Sequence, residues 1–164
     1  MKIRLPKVRT SLDIASWLII RGQSAGKEIT HRKLQYLMYL VFGDYFNVDL
    51  HSKLFPSTFV LSKIGPLEPN IYHLYKKINL GEIGNPIPEK IENYLLKVWG
   101  KYEIYETDSL KKIIIDNSVW KEILLNPIGS EISENLIIKS FVSYSDIKKI
   151  EYSNIVNDDR EYWT

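Results

Sequence analysis

The sequence predicts a mainly α single domain, a helical bundle with a small β ribbon. Three observations lead to it. Apolar residues recur at helical spacing along most of the chain, most cleanly at Leu34, Leu37, Met38, Val41, Phe42 and Tyr45, the i, i+3, i+4, i+7, i+8, i+11 series of one helix face. One segment, Thr58-Phe59-Val60-Leu61, is β-branched and aromatic enough to be a strand. A chain of 164 residues, 45% hydrophobic and 26% charged, has the length and balance for one core that needs no cross-links.

Basic residues open the chain. Lys2, Arg4, Lys7 and Arg9 occur with no acid among them, and residues 1–10 read as a basic arm. Thr10 and Asp13 have the spacing of a capping box. A first helix follows over about 12–21, with Ile14, Ala15, Leu18 and Ile19 inward, and Gly22 as its C-cap before a loop to Gly26. Thr30 caps the second helix. Its periodicity makes it the central core element, with Gln35, Tyr36 and Tyr39 on its outer face.

Residues 47–56 read as loop, and the strand at 58–61 is expected to pair with something near 49–54. The segment Lys63-Ile64-Gly65-Pro66-Leu67-Glu68-Pro69-Asn70-Ile71-Tyr72 is a stiff turn. Pro66 disfavours helical backbone at Gly65, and Pro69 suits the first turn of a third helix with the stripe Ile71, Leu74, Tyr75, Ile78. Gly81, Gly84, Pro86 and Pro88 mark a second loop. Pro88 opens a helix carrying Ile91, Leu95, Val98 and Tyr102. Further helical patterns cover 109–115, 118–125 and 131–142. The helical domain therefore spans 11–142, and 143–164 form a C-terminal extension with a polar, acidic end.

The composition narrows the chemistry. With no cysteine, disulfides, thiolate catalysis and Cys-based zinc sites are excluded, and the chain suits a reducing cytoplasm. Pro6, Lys7 and Arg9 interrupt any signal-peptide core, and Trp17-Leu18-Ile19-Ile20 is far too short to span a bilayer. A net charge of +2 provides no global basic field for nucleic acid.

Gly22-Gln23-Ser24-Ala25-Gly26 matches the serine-hydrolase pentapeptide, but that chemistry needs a strained strand-to-helix turn, and the preceding segment reads as helix. Gly22 to Lys27 lacks the spacing and hydroxyl of a phosphate loop. His31, His51 and His73 have no partner at metal-ligand spacing, Asp49 beside His51 being the nearest approach to one. No residue is assigned to catalysis, to a metal or to a cofactor.

Eleven tyrosines and four tryptophans suggest contact surface instead. Tyr36, Tyr39 and Tyr72 fall on helix faces expected to be exposed, beside Lys33, Lys63 and Glu68, which suits protein binding.

The order and spacing of Asp13-Ile14-Ala15, then Lys33-Leu34-Gln35-x-Leu37-x-Tyr39, then Lys63-x-Gly65-Pro66-x-x-Pro69-x-x-Tyr72 resemble the Panacea domain, the SocA-like antitoxin family also known as phage-associated protein. A weaker similarity continues through Trp99-Gly100 and Trp120 to Phe141, so it covers about residues 11–141. The chain departs from the family pattern at Tyr45 and Ser62, where tryptophans are usual, and at Val119, where a proline precedes the tryptophan.

The resemblance implies a cytoplasmic, mainly α antitoxin of prokaryotes or their mobile elements that neutralises a cognate protein toxin by direct contact. It also implies, for some members, delivery of the toxin to a AAA+ protease. It implies no catalysis, and the short apolar runs noted above give no expectation of a membrane partner. On this reading Gly65, Pro66 and Pro69 are scaffold, with Lys33, Gln35, Tyr39, Lys63 and Tyr72 packing against it or touching the partner. The alternative is a DNA-binding transcriptional regulator of a mobile-element operon, using the basic start, the small basic cluster His31-Arg32-Lys33 at the start of the second helix, and a helix-turn-helix made by the first two helices. Nucleic acid is the less expected partner, because the second helix is aromatic rather than basic.

Overall fold

The computed structural model describes residues 3–77 and 79–143, and they are mainly helical. The centre is α2 (His31–Tyr45), in which every residue from 34 to 43 is buried. Thr30 caps it as expected, its Oγ1 accepting from Lys33 N at 3.3 Å. Around it pack α1 (Ser11–Ser24), α4 (Glu89–Tyr102), α5 (Thr107–Ile115) and α7 (Glu134–Phe141). Short α3 (Pro69–Leu74) contacts α1, and α6 (Ser118–Ile123) packs on α5 and α7.

The expected outer face of α2 is a correction. Tyr36 and Tyr39 are fully buried, because neighbours cover all sides of this helix. Phe42 meets Phe46, Phe55 and Phe59, while Tyr39 meets Phe59, Trp120 and Phe141 edge-on. The close approach of α7 needs a glycine at position 43. A Cβ there would lie 2.2 Å from the Phe141 ring.

The strand pairing also differs from expectation. β3 (Val60–Ser62) turns back through Lys63-Ile64 onto β4 (Gly65–Leu67), in the antiparallel register Val60↔Leu67, Leu61↔Pro66, Ser62↔Gly65. Gly65 has φ +116°, a conformation that costs side-chain-bearing residues energy and glycine almost none. The other edge of β3 is taken by residues 129–132, through Leu61 N to Ser130 O and Ile132 N to Phe59 O, both 2.8 Å. Residues 131–133 are therefore extended, not helical, and α7 begins only after Ser133 caps it. The segment near 49–54 pairs elsewhere, as β2 (Ser52–Lys53) runs parallel to β1 (Leu5–Pro6).

The basic segment is thereby part of the fold. Arg4 Nε donates to Leu50 O at 2.8 Å, and its guanidinium pairs with Glu134 at 3.2 Å. Lys7 reaches Asp49 at 3.7 Å. Lys2 lies outside the described residues, as do the acidic residues after 143 and Ile78 of the α3 stripe.

Two local expectations at α1 change. The helix continues through Gly22 and ends in a Schellman motif on Gly26, φ +69°, with Lys27 N bonded to Gly22 O and Gly26 N to Gln23 O. Asp13 makes no capping box. Its buried carboxyl accepts instead from Asn85 N at 2.8 Å and Asn85 Nδ2 at 3.2 Å, pinning the loop before α4. Among the described residues no helix is long and apolar enough to cross a membrane.

Candidate protein-docking site

The hairpin and α3 meet α2 at one buried node. Glu68, directly before Pro69, is fully buried. Its Oε2 accepts from Ile71 N at 2.7 Å, which caps α3, and its Oε1 accepts from Ser57 Oγ at 2.7 Å and Asn70 Nδ2 at 3.2 Å. Its backbone is gripped by Gln35, also fully buried. Gln35 Oε1 accepts from Glu68 N at 2.7 Å, and Gln35 Nε2 donates to Glu68 O at 3.2 Å. One amide side chain of α2 thus replaces the ladder partner that the chain loses on leaving β4. Proline at 69 has no N–H to satisfy, so the elbow leaves little backbone unpaired.

A second tie fixes the hairpin tip. Tyr36 Oη donates to Ile64 O at 2.5 Å and accepts from Arg32 Nε at 3.0 Å, with the guanidinium 5.7 Å from the ring centre. Beside it, the His31 ring stacks on Tyr75 at 4.6 Å and leans on Tyr72 at 5.6 Å. Burial first, and then the nearby Lys76 charge, hold the His31 pKa below its ordinary value, favouring the neutral ring. Tyr75 is itself anchored by its hydroxyl on Ile29 O at 2.8 Å.

Of the residues singled out from the sequence, Gln35, Gly65, Pro66 and Pro69 gather around Glu68, with only Pro69 half-buried. Lys63 at the hairpin tip and Tyr72 on α3 are exposed, Tyr72 by 54%. Lys33 is half-buried at the start of α2. Tyr39 lies away from the elbow, within the core. Burial pushes its phenol far above the ordinary range, with Ser140 opposing, and its hydroxyl has no hydrogen bond of good geometry among the described residues.

The sequence reading missed Glu68 as the node, and with it Ser57, Tyr36, His31 and Arg32. An acceptor side chain immediately before a proline that starts a helix is a capping signal, and Glu68 could have been found by it.

The arrangement offers shape and contact. Ser24 is the exposed last residue of α1 and bonds no histidine or carboxyl group among the described residues, so the pentapeptide forms a helix end instead of a nucleophile elbow. Among the described residues no three His, Asp or Glu side chains cluster at metal-binding distance. Comparison with known proteins adds no neighbour: no family, no curated protein and no solved structure matches the chain.

Proposed function

We propose that this chain is an antitoxin-type binding module, a cytoplasmic helical-bundle scaffold that neutralises a cognate protein toxin by direct contact, a contact that would also serve to deliver the toxin to a AAA+ protease. The observation that carries this reading is the elbow. Two fully buried polar side chains, Gln35 and Glu68, serve to hold the hairpin and α3 at a set angle, while Lys63 and Tyr72 stand outside it. An exposed tyrosine on a rigid support offers contact area at low entropy cost. The motif order described above, from Asp13 to Tyr72, supports the same reading, and occlusion of a toxin needs no cofactor.

The DNA-binding alternative has less support. Arg4 and Lys7 of the basic segment are engaged with Glu134 and Asp49, and α2 is buried from Leu34 to Gly43, which leaves only its first turn, with Arg32 exposed, to meet a groove.

The test is co-expression with the product of the adjacent open reading frame. The expected result is one co-eluting complex burying about 1,600 Å², together with relief of that product's toxicity. Separate elution of two folded proteins, with toxicity unrelieved, would remove the reading.

A further inference from the structure

Resting on the reading just proposed, we infer that the face formed by the hairpin tip, the start of α2 and α3 docks an acidic, partly apolar segment of a protein partner. The face is continuous through contacts. Lys63 adjoins Ile64, whose carbonyl takes the Tyr36 hydroxyl, and that hydroxyl takes Arg32. His31 follows, against Tyr72 and Tyr75, where burial first and the Lys76 charge second disfavour a positive imidazole.

Exposed cations outnumber exposed carboxylates on this face, three to two. Arg32, Lys63 and Lys76 are exposed, while the one carboxyl group at its centre, Glu68, is internal and occupied by Ser57, Asn70 and Ile71. Asp108 stands at the margin, 89% exposed and 3.7 Å from Arg32, a screened contact that a partner carboxylate could replace. Glu28 flanks the far side of Tyr75. A surface of this kind attracts carboxylates and repels cationic partners.

The aromatic groups decide the class of partner. The His31 and Tyr75 rings lie nearly parallel, 10° apart, and already stack on each other. No slot remains between them for a base, and three cations make a short track compared with the run of phosphate contacts that nucleic-acid binding requires. Tyr72, flanked by His31 at 5.6 Å and edge-on by His73 at 5.5 Å, keeps about half of its surface exposed, which suits contact with an apolar side chain carried between carboxylates.

The experiment uses the full chain and a labelled synthetic peptide alternating Asp or Glu with Leu or Phe, followed by fluorescence anisotropy at low and physiological salt. The controls are a Lys-substituted peptide and duplex and single-stranded oligonucleotides of matched charge. Saturable binding of the acidic peptide is expected. Lys63→Glu with Lys76→Glu should weaken it about tenfold and flatten its salt dependence, whereas Tyr72→Ala should weaken it with the salt dependence retained.

Failure of the acidic peptide to bind, equal binding of the basic peptide, or tighter binding of an oligonucleotide overturns the inference. The same charge-reversed variant separates the two proposals. If its dissociation constant for the neighbouring gene product equals that of the wild type, the docking face is wrong and the antitoxin reading stands. If the wild type binds the peptide but never that product, the face stands and the antitoxin reading falls.

Discussion

Glu68 brings a carboxyl group into a place with no solvent access, and three donors on three different residues converge on it. Removing it leaves the buried Ile71 N–H unpaired, which costs more than that hydrogen bond itself contributes, while half-buried Ser57 and exposed Asn70 lose their acceptor at the surface. Glu68→Ala is expected to lower unfolding stability by about 3 kcal/mol, and Glu68→Gln by about half that, since the amide keeps one acceptor but faces donors with its NH2. Urea denaturation of the two variants checks the order. If Glu68→Ala matches the wild type, the elbow does not depend on this group. Residue identity was readable here only in part. Pro66 and Pro69 announce the turn, and the Glu68 cap on Ile71 is local, but Gln35 grips the Glu68 backbone from 33 residues away and Tyr36 reaches Ile64 across 28, and no local pattern encodes such distant hydrogen bonds.

Helices whose apolar stripe has one side were the most legible elements. α4 and α5 begin and end within two residues of their expected limits, because each turns an apolar stripe toward the core, Ile91, Leu95 and Val98 in one and Leu110 and Ile114 in the other. α2 shows where the inference weakens. Its stripe at Leu34, Leu37, Met38, Val41 and Phe42 was evident, but a helix buried on all sides hides polar groups as well, and Gln35, Tyr36 and Tyr39 look like a surface until their partners are known. Strand pairing was the least legible, since β1 and β2 are two residues each and carry no periodic signal. At Gly43 two element-level effects oppose each other. Alanine is the better helix former by about 1 kcal/mol, but its methyl would sit 2.2 Å from the Phe141 ring that covers Tyr39. Overpacking should prevail, so Gly43→Ala is expected to destabilise by about 1–2 kcal/mol and to speed amide exchange in α7. A raised melting temperature would show that Phe141 swings aside without loss.

On the scale of the whole molecule, the basic start and the last described helix close the domain from opposite ends of the sequence. Glu134, in the first turn of α7, pairs with both Arg4 and Lys53, and Asp49 takes Lys7, so two sets of ion pairs tie the residues flanking β1 to β2, to α7 and to the loop before β2. Residues that read as a free basic arm belong to the closure of the fold. The sequence could show their charge but not their carboxylate partners more than forty residues away. The closure has a pH signature at Asp49. Burial alone would raise its pKa, but the Ser52 hydroxyl, the His51 N–H and the Lys7 charge outweigh that and lower it. A carboxyl group whose pKa is lowered on folding adds stability above its unfolded value near 4, and that addition disappears as pH falls through the lower folded value. Asp49→Asn keeps an acceptor for His51 and Ser52 but removes the charge. Its urea midpoint should lie below that of the wild type at neutral pH, by only a few tenths of a kcal/mol because the pair with Lys7 is part-exposed. The two midpoints should converge as the solution is taken through the acid range, and faster in high salt. A gap that stays constant from neutral to acid would mean that Asp49 acts through packing alone, leaving the attachment of β1 to Arg4 and the backbone bonds of Lys7 and Val8.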